Sequence, residues 1–212
     1  MWAVDNVVEL LGSYGSDEVI SLAAWCSTER TLTEERKGRL GAFIKRLVDE
    51  GHHTPLERGF LHFLVTADTA THIHILKHRI AVSVNSESAR YKELKDDKFY
   101  VPDDWPDEEQ QALKEHMWHS YHKYHAAVKR LEPVIGRKRA KESARFYLPY
   151  ANQCTLDITF NLRSFFHFQK LRNSEHAQLE VREVARKMLE LVRGIEGNPF
   201  KHTLEAFGYG AE

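Results

Sequence analysis

Residues 152–160 place the tightest limit on the fold. Cys154, Leu156, Ile158 and Phe160 alternate with Thr155, Asp157 and Thr159, the period-two pattern of a strand with one buried and one wetter face. An aromatic-rich helix over residues 164–170 follows almost directly, with Phe165, Phe166 and Phe168 as candidate core. A strand that feeds a helix this abruptly requires a sheet face for the helix to cover.

The remaining segments supply that sheet and its helices. Residues 7–14 read as a first strand, and Ser16 or Asp17 is suited to cap a helix running through Ala24. Thr31 and Glu34 have capping-box spacing, and Leu40, Phe43, Ile44, Leu47 and Val48 then follow at helical steps until Gly51. The apolar run 60–65 reads as a strand after a Pro-containing loop. Residues 68–79 fit two patterns. Alternation of Ile73 and Ile75 with His72 and His74 suggests a strand, whereas Asp68 as N-cap gives a helix. The helix is preferred because it gathers His74, Lys77 and His78 at i, i+3 and i+4.

Residues 91–105 read as a charged loop, after which Asp104 caps a long helix whose first turn holds Asp107, Glu108 and Glu109. That helix is predicted to reach about Leu131 and stop before Pro133. A shorter helix spans 137–148. A last one starts near Ser174, with Val181, Val184, Ala185, Met188 and Val192 on one side. With no internal repeat and no low-complexity linker, residues 1–212 are expected to form one α+β domain. Its central sheet should be largely antiparallel and flanked by helices, one of them long.

Thirty basic and thirty-one acidic side chains leave a formal charge of −1. No global field therefore favours nucleic acid or an anionic membrane, and any anion site must be local. The sequence shows neither a signal-peptide pattern nor an apolar run of transmembrane length. Cys26 and Cys154 fit no metal or redox spacing. The expectation is a cytoplasmic protein bound to neither membrane nor nucleic acid.

Three stretches carry polar residues in patterns open to a ligand as well as to ordinary turns and packing. The first opens with Lys77, His78 and Arg79 and closes with Ser88, Arg90 and Tyr91, a set suited to a phosphate. Its bland counterpart is a solvated basic turn before an edge strand. The second runs from Gly51 through His52, His53, Thr54 and Pro55 to Glu57. The third, residues 161–180, sets Asn161, Arg163 and His167 among core phenylalanines.

His116, His119, His122 and His125 form a row at three-residue steps that drifts around a helix, so a polar stripe explains it better than a metal site. His72 and His74, sharing a face if on a strand, raise a rival reading as a metal-dependent hydrolase. A nucleotide-binding module without catalysis is a second rival. Cys154 sits among core positions and Cys26 ends an amphipathic helix, so neither has a nucleophile-like setting.

Taken together, the three stretches resemble the flavin-dependent thymidylate synthases. Lys77-His78-Arg79 followed by Ser88 is similar to their Arg-His-Arg, seven residues, Ser signature, with Lys77 in place of the first Arg and eight intervening residues. Gly51–Glu57 resembles Gly-His-x-Thr-Pro-x-Glu. Asn161 onwards resembles Asn-x-Arg-Ser-x-x-x-Phe-x-x-Leu-Arg with its following His-Ala-Gln and Glu.

The resemblance implies conversion of dUMP to dTMP, with methylenetetrahydrofolate as carbon donor, NADPH as reductant, FAD as cofactor, and no cysteine nucleophile. It gives Arg172 the task of stabilising charge on the pyrimidine. It assigns nucleotide contacts to Ser88, Ala89, Arg90 and Arg145, with Lys77 also on the substrate side and His74 standing where the family often has Gln. FAD contacts fall to His52, Thr54, Lys77, His78, Arg79, Asn161, Arg163 and His167. The family's acidic position is filled by Glu87 on chemical grounds or by Ser86 on counting. No metal is implied, and a homotetramer with sites shared between subunits is.

Overall fold

The computed structural model describes residues 2–29, 31–88 and 97–210 of the chain. In chain order the elements are β1 (Trp2–Ala3), β2 (Val7–Tyr14), α1 (Asp17–Ala24), α2 (Glu34–Gly38), α3 (Leu40–Asp49), β3 (Phe60–Asp68), α4 (Thr69–Leu76) and β4 (Val82–Ser86). They continue with β5 (Lys98–Phe99), α5 (Asp107–Ile135), α6 (Arg137–Ala144), β6 (Gln153–Asn161), α7 (Leu162–Arg172), α8 (Leu179–Arg193) and α9 (Lys201–Ala206). Short 3₁₀ turns occupy Trp25–Ser27, Thr54–Arg58 and Arg145–Tyr147.

The main sheet is antiparallel with strand order β2-β3-β6-β4. Two backbone bonds fix the register of its β4 edge, Glu87 N–H to Thr155 O at 2.8 Å and Asn161 N–H to Ala81 O at 3.3 Å. Along β3, Leu61, Phe63, Val65 and Ala67 are buried while His62, Leu64 and Thr66 are only half covered. One face of the sheet is thus core and the other is wetter, as alternation dictates.

By compactness the chain divides into two units. The first comprises Met1–Val7, Val65–Leu76 and Asn85–Leu156. Its core gathers along α5, where Met117 and Tyr121 meet Phe99 and Val101, and Tyr124, Ala127 and Val128 meet Ala144. Several buried polar side chains there pair with one another. Asn6 Nδ2 donates to Asp68 Oδ2 at 3.0 Å and Asn6 Oδ1 accepts from Asp68 N–H at 3.1 Å, while Tyr121 Oη donates to Asn152 Oδ1 at 2.7 Å. Burial pushes the Tyr121 phenol well above its ordinary range, so it remains a neutral donor.

The second unit comprises Val8–Leu64, Lys77–Val84 and Asp157–Glu212. Phe63, Phe160, Phe165 and Phe168, all fully buried, pack ring to ring beneath α7. Gly59 lets α7 start where it does. Leu162 N–H donates to Gly59 O at 2.9 Å, and a Cβ at Gly59 would lie 2.5 Å from Leu162 Cδ1. Asp17 holds α9 by accepting from His202 N–H, Thr203 N–H and Thr203 Oγ1, bonds that offset only part of the cost of its burial.

Several expectations are corrected. The cap before α2 is Thr33, whose Oγ1 accepts from Arg36 N–H, rather than Thr31. The helical pattern expected from there to Gly51 breaks at Arg39 into α2 and α3. Asp68 does accept from Thr71 N–H at 2.8 Å, but α4 stops at Leu76, so Lys77 and His78 lie beyond the helix that was to gather them with His74. The long helix has Pro106 rather than Asp104 at its N-cap. It also passes through Pro133 to Ile135, because a proline this near the C-terminus costs only a last-turn hydrogen bond. The last turns before α8 form no helix until Leu179, and α9 follows it.

Candidate functional site

A groove of about 780 Å³ opens in the second unit between α7 and the segment 77–82. Asn161 sets its floor. The Asn161 side chain caps α7 by accepting from Ser164 N–H at 2.9 Å, so the positive end of the helix dipole lies at the groove. The opposite wall is tied to the same turn, with Ser164 Oγ donating to Ile80 O at 2.7 Å and Asn161 N–H to Ala81 O.

Ala81 takes a left-handed conformation, φ 52°, which L-residues other than Asn and Asp rarely adopt. These two bonds hold it there. Ala81→Gly is therefore expected to leave stability unchanged or raise it by up to about 1 kcal/mol, and Ala81→Val to lower it by at least as much. Urea unfolding of the two variants checks both signs.

The lining is strongly cationic. Lys77, Arg79, Arg163, Lys170 and Arg172 face one carboxylate among the described lining residues, Glu57, which already pairs with Arg163 at 2.7 Å. That exposed pair adds little to stability but fixes the guanidinium's direction. Arg172 Nε–H donates to His78 Nε2 at 2.9 Å. His78 must then be neutral with its proton on Nδ1. Burial, Arg172 and His167 together push its pKa down to about 4.

The sign follows from that depressed value. From about pH 6.5 down to about 4 the unfolded chain protonates this imidazole and the folded one does not, so folding stability falls through that window. Below it the imidazole charges and loses its acceptor. NMR titration of the His78 ring should show a midpoint near 4, far below that of an exposed histidine.

The groove thus brings together seven residues singled out from sequence: Lys77, His78, Arg79, Asn161, Arg163, His167 and Arg172. His52 and Thr54 are exposed and lie outside the lining, which takes His53 and Glu57 from the same turn. His74, Ser86, Glu87, Ser88 and Arg145 belong to the first unit. There Glu87 and Ser86 are both exposed, and Arg145 stands exposed on its 3₁₀ turn. Ala89, Arg90 and Tyr91 lie outside the described residues.

Sequence reasoning missed Lys170, Phe166 as a lining residue, and the pair Phe207 and Tyr209. Helical spacing from Arg163 would have found the first two. No local signal marks the third.

The rival metal reading loses its geometry. His72 and His74 sit on α4, where residues two apart point to nearly opposite sides. Among the described residues no group of three His, Cys, Asp or Glu side chains is placed to hold a metal. On α5 the histidine row is mostly exposed, with His125 Nε2 2.9 Å from Asp97 Oδ1. Among the described residues no helix is long and apolar enough to cross a membrane.

A cationic groove that takes in a helix N-terminus is suited to an anionic ligand. Two solved structures share the fold over nearly their whole length. Both are of the UMP/dUMP methylase PolB from Streptomyces cacaoi, each 29% identical to this chain. The structure bound with 5-Br UMP gives a TM-score of 0.74, covering 98% of this chain and 97% of that one. The structure bound with 5-Br dUMP gives 0.77, covering 99% of each.

Residues 9–196 match the model of the thymidylate synthase complementing protein family. The flavin-dependent thymidylate synthase of Pseudothermotoga lettingae is 32% identical over 195 residues, covering 89% of this chain and 85% of that protein. The one from Mycobacterium avium is 34% identical over 155 residues, 68% of this chain and 61% of the relative. The chain belongs to the thymidylate synthase complementing protein family, the flavin-dependent thymidylate synthases, and is an enzyme of the methyltransferase class.

Proposed function

We propose that this enzyme converts dUMP to dTMP, taking its one-carbon unit from methylenetetrahydrofolate and its reducing power from NADPH through FAD. The observation that carries the reading is the groove itself, five cationic side chains spread along α7 and the segment 77–79, with the N-terminus of α7 at one end and the rings of Phe166, Phe207 and Tyr209 in its lining. That donor set fits a dinucleotide, whose pyrophosphate needs cations and N–H groups and whose rings need apolar faces. Lys77, His78, Arg79, Asn161, Arg163 and His167 would hold FAD, with His52 and Thr54 retained as contacts beside His53. Bound FAD, reduced by NADPH, supplies the hydride that completes the methyl group.

The protein's own part is electrostatic. Uracil C5 becomes nucleophilic only when negative charge is accommodated in the ring, and a preorganised guanidinium at the pyrimidine edge does this without a covalent adduct. Arg172 is that group, aimed by neutral His78. No thiol is required. Burial pushes the Cys154 thiol up, away from the thiolate, and neither cysteine lines the groove.

His74, Ser86, Glu87, Ser88, Ala89, Arg90 and Arg145, with Lys77, are assigned to dUMP. Phe146, 82% exposed, and Tyr150, 67% exposed, give the first unit an apolar surface suited to subunit contact, in keeping with a homotetramer. We take residues 1–212 to act as one catalytic domain, in the cytoplasm.

Purified protein given dUMP, methylenetetrahydrofolate, FAD and NADPH should yield dTMP, and omitting any one component should abolish it. Because both structural neighbours are named UMP/dUMP methylases, UMP is the second substrate to assay, with 5-methyl-UMP as product. Formation of neither product by folded, flavin-loaded protein would overturn the proposal.

A further inference from the structure

The groove has an aromatic wall that lies outside the stretch matching the family model, which ends at residue 196. Phe207 stacks on Phe166 with centroids 4.1 Å apart and planes 7° from parallel. Tyr209 lies 6.0 Å from Phe166 at 9°. The His53 ring also meets Phe207, tilted by 56° at a centroid distance of 5.6 Å.

The sequence Phe-Gly-Tyr builds this wall at the end of α9. Gly208 adopts φ 76°, its N–H donates to Glu205 O at 3.0 Å, and Tyr209 N–H donates to Leu204 O at 2.8 Å. Those two bonds are the Schellman pattern, which only a residue tolerant of positive φ completes cheaply. Arg193 Nε–H then clamps Tyr209 O at 2.8 Å. Phe166 is buried beneath, while Phe207 and Tyr209 remain half exposed toward the groove. A helix stop alone needs no ring at either position.

The wall also has a definite side. At three- and four-residue steps, Arg163, Phe166 and Lys170 run along one edge of the α7 surface facing the groove, and Ser164, His167 and Leu171 along the other. The second edge meets the segment 77–82 and carries the His78–Arg172 pair. A ring on the Phe207–Tyr209 wall therefore lies across α7 from the group that serves the reacting pyrimidine. We propose, resting on the flavin reading above, that Phe207 and Tyr209 form a stacking shelf for the adenine ring of the bound dinucleotide.

The test compares FAD with FMN, which lacks the adenylate, by flavin-fluorescence titration of unaltered protein and of Phe207→Leu and Tyr209→Leu. Leucine keeps the apolar cover over Phe166 but removes the stacking face. FAD should bind the unaltered protein at least about tenfold more tightly than FMN, within the usual worth of a base stacked on an aromatic ring. In both variants the FAD advantage should shrink about tenfold while FMN affinity stays within about twofold. An unchanged FAD-to-FMN ratio in both variants overturns the shelf, whether the two ligands weaken together or not at all. Unaltered protein that binds neither ligand overturns the flavin reading and takes this proposal with it.

Discussion

Replacing Arg172 by Ala is expected to lower dTMP formation by roughly two to three orders of magnitude, the scale of losing one preorganised donor to developing charge. FAD affinity and NADPH oxidation should stay near their original values, since Lys77, Arg79, Arg163 and Lys170 keep the groove cationic. Arg172→Lys restores charge without the planar fork and should recover activity only in part. His78 separates positioning from simple charge. Its Nε2 accepts from Arg172, so His78→Gln, which keeps an acceptor, should retain more activity than His78→Ala. Near-normal turnover by Arg172→Ala in single-turnover assays removes this residue from the mechanism.

The largest effect on stability is expected from Phe160→Ala. Its ring is fully buried and meets Phe63, Phe165 and Phe168 at centroid distances of 6.4, 6.1 and 5.3 Å. Truncation there leaves a cavity under α7 and should cost about 3–5 kcal/mol of unfolding free energy. Phe160→Leu should cost markedly less. Urea denaturation gives both values, and a loss under about 1 kcal/mol for the alanine variant would mean that the aromatic cluster is not the bed of the helix. Because α7 carries Arg163 and Arg172 and is capped by Asn161, the same variant should also weaken flavin binding.

What sequence reading captured and what it missed follow from the range of the interactions involved. β6 was legible because alternation at 154, 156, 158 and 160 is a local pattern that the core face enforces. The Asp68 cap and the helical face of α3 were legible for the same reason. The groove's cations other than Lys170 were legible as well, since each lies in a compact motif.

Features decided by tertiary partners were not. Whether Thr31 or Thr33 caps α2 depends on a single turn, and Arg36 serves both ends of it, donating to Thr31 O while its N–H meets Thr33 Oγ1. Pro133 stops a helix only in its interior, and α5 was already within a turn of its end. Phe207 and Tyr209 are distant in sequence from every motif, and they reach the groove because Asp17 anchors α9 and Arg193 clamps the segment that follows it.

The groove of the second unit is proposed to hold the flavin. The direct measurement is the visible absorbance of the purified protein after incubation with FAD and desalting, followed by anaerobic addition of NADPH. The structure-based expectation is retained flavin bands at about one FAD per chain, bleached by NADPH, with Lys77→Ala weakening retention by about 1.5–3 kcal/mol as expected for a hydrogen bond to a charged group. A folded protein that emerges colourless at FAD concentrations well above the micromolar range, or whose bound flavin is untouched by Lys77→Ala and Arg163→Ala alike, would contradict it.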